Sequence, residues 1–497
     1  MLSRRVTGFG AVLAACCVGV LATSQVVVAD SSVPTPAPVQ VTPALPAPTG
    51  APPTSGGLAA ALKALDDPAL GPSVGAVVMD AATGSVLYER SSSQPRIPAS
   101  TLKILTGTAV TTALGADSRI TTRVVAGPDG SVILVGGGDP DLLKTPSPDS
   151  PDAVTLADLA KRTAAALGVT AAGETGGPAS ASADGSSATE SPSATDPSSA
   201  SGSAATGSPV SPSGSGPTSG ARAAVRVHID DSLFTGPTTE PSWPDTYLSS
   251  CMAKPIMALS LRTPAYPCSP ESDPALSAGR VFAEQLAAQG VTVTGDVDRL
   301  RAPAGARELA AGQSAQIAEL VEQTSLRSDN VAAEMLAHLA GAKVVGDASF
   351  AGGAAATSRV LAGLGVPVEG LRLVDASGLS RDDRVPAATT AAVLSKVATN
   401  ANPQIWPVGT GLPVAGFDGT LAERFGTVAT ESGRGVVRAK TGTLTSVGAL
   451  GGLVVDRDGR LLIFDFVADQ VTGTDEARTA LDRAAAALAD CGCGGAG

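Results

Sequence analysis

Apolar positions along the chain fall into two periodicities, separated by stretches with neither. Alternation or short apolar runs mark strands at 74–80 (VGAVVMD), 85–89 (SVLYE), 131–135 (SVILV), 225–229 (VRVHI), 435–440 (GVVRAK), 448–456 (GALGGLVVD) and 461–468 (LLIFDFVA). Spacings of three and four predict helices at 58–65, 156–167, 278–289, 314–323, 329–340, 354–364, 387–398 and 475–490. The first two strands flank Ala81-Ala82-Thr83-Gly84 and read as a hairpin about a glycine-containing turn. Strands at both ends with helices between them predict an α+β domain whose sheet joins distant parts of the chain. A second region is inserted between its halves.

The stretches without periodicity have their own character. At the N-terminus, Arg4 and Arg5 precede an apolar run from Val6 to Ala22, and Val27-Val28-Ala29 offers a small-residue cleavage site. Residues 1–29 therefore read as an export signal or, uncleaved, as a membrane anchor. Leu13-Ala14-Ala15-Cys16 resembles a bacterial lipobox, but apolar character continues past Cys16 and the preceding stretch is short, which counts against lipidation. Residues 30–57 form a linker whose 33–56 portion carries eight prolines and no charge, as an extended spacer or an unselected tail would. Residues 171–220 are almost wholly Ala, Ser, Gly, Thr and Pro, with four acids, no base and only Val210 as a larger aliphatic. Such a tract buries too little apolar surface to offset its ordering entropy, so a disordered surface loop is expected.

Composition then removes several functions. The 497 residues carry 34 Lys+Arg against 46 Asp+Glu, a net charge of −12. Nucleic-acid binding needs a basic face to displace counterions, and none is expected here. With only His228 and His338, a Ser-His-Asp relay or a multi-histidine metal site has almost no material, and no metal or cofactor is expected. His338 lies in an apolar helical stretch and reads as structural. Among the cysteines outside the export segment, Cys251 and Cys268 are the expected disulfide in an oxidising compartment. Cys491 and Cys493 are too close along the chain for an easy bridge with one another.

Lysine is scarce, eight against twenty-six arginines, so a lysine in a motif is informative. Ser100-Thr101-Leu102-Lys103 opens the run TLKILTGTAV. A helix with Ser100 in its first turn puts the hydroxyl and the Lys103 amine on one face, beside free N–H groups at the helix N-terminus. A desolvated Lys103 beside another cation would accept the Ser100 proton at neutral pH. Alone, the motif reads equally as a capped helix with an exposed lysine. Ser328-Asp329-Asn330, opening a helix, and Lys440-Thr441-Gly442-Thr443, on a strand-like segment, change this. The three in this order arise by chance about once in a thousand. Their logic is acyl transfer without histidine: Ser100 attacks a carbonyl, Lys103 takes its proton, Ser328 relays a proton to the leaving amine, and Asn330 holds the lysine and the substrate amide. Lys440 adds positive potential, and the Thr441 and Thr443 hydroxyls suit a substrate carboxylate. Gly442 lets a substrate backbone approach the strand, and the Ser100 and Thr443 N–H groups are the candidate oxyanion hole.

At these residues the chain resembles the D-alanyl-D-alanine carboxypeptidase/endopeptidase family, the class C low-molecular-mass penicillin-binding proteins of peptidase family S13. Gly136-Gly137-Gly138-Asp139-Pro140, Asp375 to Arg381 (DASGLSR), Leu412 to Gly416 (LPVAG) with Asp418 to Leu421 (DGTL), and Arg438 to Leu444 (RAKTGTL) look like that family's signatures. The resemblance spans about 58–485. It implies a penicillin-recognising fold, like that of serine β-lactamases and DD-peptidases, with an antiparallel sheet flanked by helices. A catalytic domain at 58–115 and 276–490 would carry an inserted accessory domain at 116–275, ahead of a C-terminal tail at 491–497. It also implies an exported cell-envelope enzyme, secreted or membrane-anchored, that cleaves terminal D-Ala, and also D-configured cross-links, from peptidoglycan stem peptides through an acyl-Ser100 intermediate. β-Lactam antibiotics would be covalent inhibitors. One departure stands out: the family's D-G-S-G-L-S-R-x-N reads D-A-S-G-L-S-R-D-D here, with Asp383 in the asparagine position. The alternatives are a β-lactamase, for which no E-x-x-L-N deacylation motif is found, and a non-catalytic envelope binding protein. The oligomeric state stays open.

Overall fold

The computed structural model describes residues 51–148, 150–151, 153–169, 224–262, 269–399 and 402–492. The expected export segment, most of the spacer and the 171–220 tract lie outside the described residues. The end of the spacer is helical: Ser55–Ala61 forms a helix whose N-cap, Thr54, accepts a hydrogen bond from the Gly57 N–H at 3.1 Å.

One five-stranded antiparallel sheet runs in the order Val437–Leu444, Val447–Val455, Leu461–Ala468, Val74–Asp80 and Val86–Arg90. It joins the predicted N-terminal hairpin to the predicted C-terminal strands. LLIFDFVA is apolar on both faces because its strand is central and covered twice. Ile463 and Val467 pack with Val77 against the helices Leu102–Leu114 and Ala387–Ala398. Leu462, Phe464 and Phe466 pack on the opposite face against the helix Thr474–Ala489. The helix Leu102–Leu114 is buried at every position from Leu102 to Thr111, so it has no polar face. Two of its threonines are satisfied within the helix: the Thr108 and Thr111 hydroxyls donate to the carbonyls of Ile104 (2.8 Å) and Gly107 (3.0 Å).

The second sheet runs Glu308–Gln316, Arg119–Ala126, Val132–Val135, Val227–Asp230 and Asp298–Arg299. The first three strands pair antiparallel and the last two join in parallel. The helices Leu156–Ala166 and Pro274–Ala288 share a core with its strands through Leu159, Phe282, Leu134 and Ile229. Residues 274–316 therefore lie in this second layer, and the expected boundary at 275/276 falls within it. Residues 314–316, given helical spacing by sequence, finish a strand; the Ser314 hydroxyl accepts the Ile120 N–H at 3.0 Å, and the helix begins at Ile317.

Cys251 is disulfide-bonded, and its expected partner Cys268 lies outside the described residues. Cys491, too close along the chain to Cys493 for an easy bridge with it, is disulfide-bonded as well. His338 is buried with its Nδ1 2.8 Å from the Glu334 carbonyl, and burial lowers its pKa to about 4, as a structural histidine requires. Among the described residues no helix is long and apolar enough to cross a membrane.

Candidate active site

Ser100 stands on a 3-10 turn, Ala99–Thr101, that feeds the helix Leu102–Leu114, not on the first α-helical turn expected from sequence. Side chains three apart eclipse in such a turn. Lys103 Nζ accordingly lies 3.1 Å from Ser100 Oγ. The turn opens on Ala99 at φ 48°, a left-handed conformation unusual for a residue with a β-carbon. Its carbonyl abuts Gly378, where a β-carbon would sit 1.9 Å from Ala99 O, so only glycine fits beneath the nucleophile.

Ser328 and Asp329 form the corner between two helices. Ile317–Arg327 ends on Ser328 in the left-handed region, and Asp329 caps Asn330–Val345 by accepting the Ala332 N–H at 2.9 Å. Two functional side chains project from this corner. Asn330 Oδ1 accepts from Lys103 Nζ at 2.7 Å, while Nδ2 donates to the Met252 carbonyl at 2.8 Å. Ser328 Oγ accepts from Lys440 Nζ at 2.8 Å.

Lys440 lies inside the strand Val437–Leu444, which extends four residues past its predicted end and forms an edge of the sheet. Residues 413–415 cover that edge as far as Ala439, through bonds from the Ala439 N–H to the Pro413 carbonyl and from the Ala415 N–H to the Val437 carbonyl. Gly442 faces the nucleophile turn: a β-carbon there would lie 2.8 Å from Pro98 O. Lys440, two residues earlier, shares that face. Thr441 Oγ1 donates to Thr420 Oγ1 at 2.9 Å, and Thr443 is exposed beyond it. The structure thus gathers the predicted residues into two bonded groups, Ser100–Lys103–Asn330 and Ser328–Lys440, held together by the Ser328–Asn330 corner.

Both lysines are buried. Burial pulls the Lys103 pKa down to about 8, against the opposing charges of Asp375, Glu334 and Asp329. Lys440 is held well below the usual lysine range by burial first and then by the charges of Lys103 and Arg424.

Sequence reasoning missed the support beneath Lys103. Glu334, buried in the run NVAAEMLAHLA, accepts the Ala376 and Ser377 N–H groups through Oε1 at 3.0 and 2.7 Å. Asp375 accepts the Gly378 and Ser380 N–H groups at 2.8 and 2.6 Å and the Trp243 indole N–H at 2.8 Å. The turn so fixed presents the Ser377 carbonyl to Lys103 Nζ and the Ala376 carbonyl to the Thr106 hydroxyl, each at 2.7 Å. Burial pushes the Glu334 pKa up to about 8, with Asp375 adding to the shift. For Glu334 the only sequence signal was an acid on an apolar helix four residues after Asn330, and Asp375 stood in the DASGLSR signature without a role. No cluster able to hold a metal ion occurs among the described residues.

A serine bonded to a buried lysine beneath an antiparallel sheet's open edge is the architecture of penicillin-recognising enzymes. The chain belongs to the D-Ala-D-Ala carboxypeptidase 3 (S13) family, whose sequence model matches residues 58–194 and 268–490. It is 34% identical to a carboxypeptidase of Mycobacterium tuberculosis over 90% of this chain and 86% of that one. It is 33% identical to a D-alanyl-D-alanine carboxypeptidase of an Actinomadura strain over 80% and 78% of the two chains. The crystal structure of penicillin binding protein 4 from Haemophilus influenzae superposes with a TM-score of 0.63 at 19% identity, covering 87% of this chain and 98% of that one, which establishes the shared fold. Membership of the family makes the protein a penicillin-binding DD-peptidase, a hydrolase.

Proposed function

We propose that the protein removes the terminal D-Ala of peptidoglycan stem peptides through an acyl-enzyme on Ser100. The observation that carries this is the 3.1 Å contact between Ser100 Oγ and the buried Nζ of Lys103, whose pKa of about 8 leaves about a tenth of it as free base at pH 7. Free Lys103 accepts the Ser100 proton as Oγ attacks the penultimate carbonyl, and the Ser100 and Thr443 N–H groups receive the oxyanion. Ser328, bonded to Lys440, passes a proton to the leaving nitrogen. Water then cleaves the ester and frees Ser100. The substrate backbone lies along the uncovered edge near Gly442, with its carboxylate toward Lys440, Thr441 and Thr443.

A β-lactam presents the same amide to the same hydroxyl; penicillin binding protein 4 of Haemophilus influenzae has been crystallised with one bound. The open edge also suits D-configured cross-links, so endopeptidase cleavage is a second outlet. The enzyme works outside the cytoplasm, delivered or anchored by residues 1–29, and the second sheet forms an accessory layer inserted in the catalytic domain.

Fluorescent penicillin is expected to label the wild type covalently and to leave Ser100→Ala unlabelled; an unlabelled, well-folded wild type would overturn the reading. D-Ala release from diacetyl-lysyl-D-Ala-D-Ala should outpace nitrocefin turnover, and the reverse ranking would make the protein a β-lactamase. Unchanged muropeptide profiles would make it a binding protein.

A further inference from the structure

We propose that Asp383 is a positioning residue that carries a proton in the working enzyme and, by donating to the carboxylate of Asp375, locks the 374–380 turn that offers its Ser377 carbonyl to Lys103. This rests on the reading of Lys103 as the base for Ser100.

Asp383 is fully buried. Its Oδ1 accepts the Val374 N–H at 2.7 Å and the Asp375 N–H at 3.4 Å. Its Oδ2 is buried without any donor, yet the two carboxyls lie within hydrogen-bonding reach of one another. Asp375 has the opposite surroundings. Its two oxygens receive the N–H groups of Gly378 and Ser380, the Trp243 indole and, at 3.4 Å, the Ser377 hydroxyl. Both Asp375 oxygens are already supplied with donors, whereas the buried Asp383 oxygen has none, and that is where a proton belongs. A proton on Asp383 Oδ2 turns that oxygen into a donor and replaces repulsion between two buried anions with a charge-assisted bond.

Among the described residues no neighbouring cation takes over this task. The Arg381 guanidinium donates to the Thr445 carbonyl at 2.7 Å, and that of Arg384 to the carbonyls of Arg381 and Asp383 at 2.8 Å each. Arg372 meets Arg384 through backbone bonds. The adjoining Asp382 uses its N–H on the Ser380 hydroxyl. From the segment packed outside, Glu240 accepts the Ser242 N–H, and Tyr247 and Trp243 lie on the Asp375 side. From the helix Asn330–Val345, Glu334 adds a further acid to the same turn, and Lys103 reaches it only at the Ser377 carbonyl. Burial, and then the Asp375 charge, push the Asp383 pKa well above the usual carboxylate range, the direction the geometry requires.

The test compares Asp383→Asn and Asp383→Ala with the wild type in two assays. The first is the pH profile of acylation by fluorescent penicillin. At pH 7 Asp383→Asn, a permanently neutral donor, should acylate within about twofold of the wild type, whereas Asp383→Ala, which strands the Val374 N–H, should lose about tenfold. At alkaline pH the wild-type rate should fall as Asp383 ionises, and the Asn variant should hold its plateau. The second assay is unfolding against pH. A carboxyl whose folded pKa is raised contributes stability that is fully present below its unfolded pKa and lost as pH rises through its folded pKa. Above about pH 4 the unfolding constant of the wild type should therefore rise relative to Asp383→Asn by up to tenfold per pH unit, until Asp383 ionises in the folded state. An unchanged pH dependence of unfolding, or a folded Asp383→Asn as slow as Asp383→Ala at pH 7, overturns the proposal. Should Asp383→Asn fail to fold, Asp383→Ser keeps a neutral donor in less volume and serves both assays. Failure of the Lys103 reading would appear separately, as an acylation rate independent of pH between 6 and 8 in both the wild type and Asp383→Asn.

Discussion

At the scale of single residues, two buried lysines and their charge environment govern the chemistry. Lys103 sits one 3-10 turn from Ser100, and burial sets its pKa at about 8. Acylation by a penicillin, followed by stopped flow, is expected to rise about tenfold per pH unit below this value and to level off near it, ahead of the alkaline fall expected from Asp383. A rate independent of pH between 6 and 8 would rule Lys103 out as the base. Scarcity made these side chains readable from sequence: eight lysines and three asparagines leave little room for chance in the three motifs. Glu334 and Asp375 were not readable as partners, because what they do depends on burial and on which backbone N–H groups a distant turn brings to them. A lone acid in an apolar helix looks the same in one dimension whether it faces water or holds an active-site turn.

At the scale of elements, the corner at Ser328 and Asp329 aims two functional groups by helix capping alone. Asp329→Ala should cost about 1 kcal/mol of stability, the usual worth of an N-cap, and lower the melting temperature by about 2 °C. Penicillin acylation should fall further than that small loss suggests, because Ser328 and Asn330 lose their common support. Calorimetry alongside the labelling rate checks both, and equal wild-type rates would show that the corner needs no cap. Strands with a strong apolar signature, 74–80 and 461–468, were legible. Glu308–Gln316 was not: ELAAGQSAQ has no large apolar side chain beyond one leucine, so its place in the second sheet comes from ladder bonds to Arg119–Ala126 and not from its own pattern. Residues 441–443 fall outside the apolar run 435–440 because Thr441, Gly442 and Thr443 mimic a turn in composition, and only the K-T-G-T motif placed them on a strand-like segment.

At the scale of the whole molecule, the described residues that flank the 171–220 tract, Val169 and Ala224, meet one site. Val169 reaches Gly290, where a β-carbon would lie 3.6 Å from its side chain, and Ala224 pairs with Thr292. Replacing 171–220 by about five Gly/Ser residues should therefore leave penicillin labelling intact and stabilise the fold by about 2 kcal/mol through the shorter loop, read as a higher melting temperature. A collapse in folding would show that the tract packs against the body. The catalytic sheet has a different reach, taking its inner strand from Val74–Asp80 and its catalytic edge from Val437–Leu444. Ser100 is therefore synthesised 340 residues before Lys440. At about 5 to 20 residues per second that is a delay of roughly 20 to 70 s, during which the nucleophile exists without the strand that completes its site. A chain cut short before Val437 would keep Ser100 and Lys103 yet lack Lys440, the partner of Ser328, and the edge strand that completes the site.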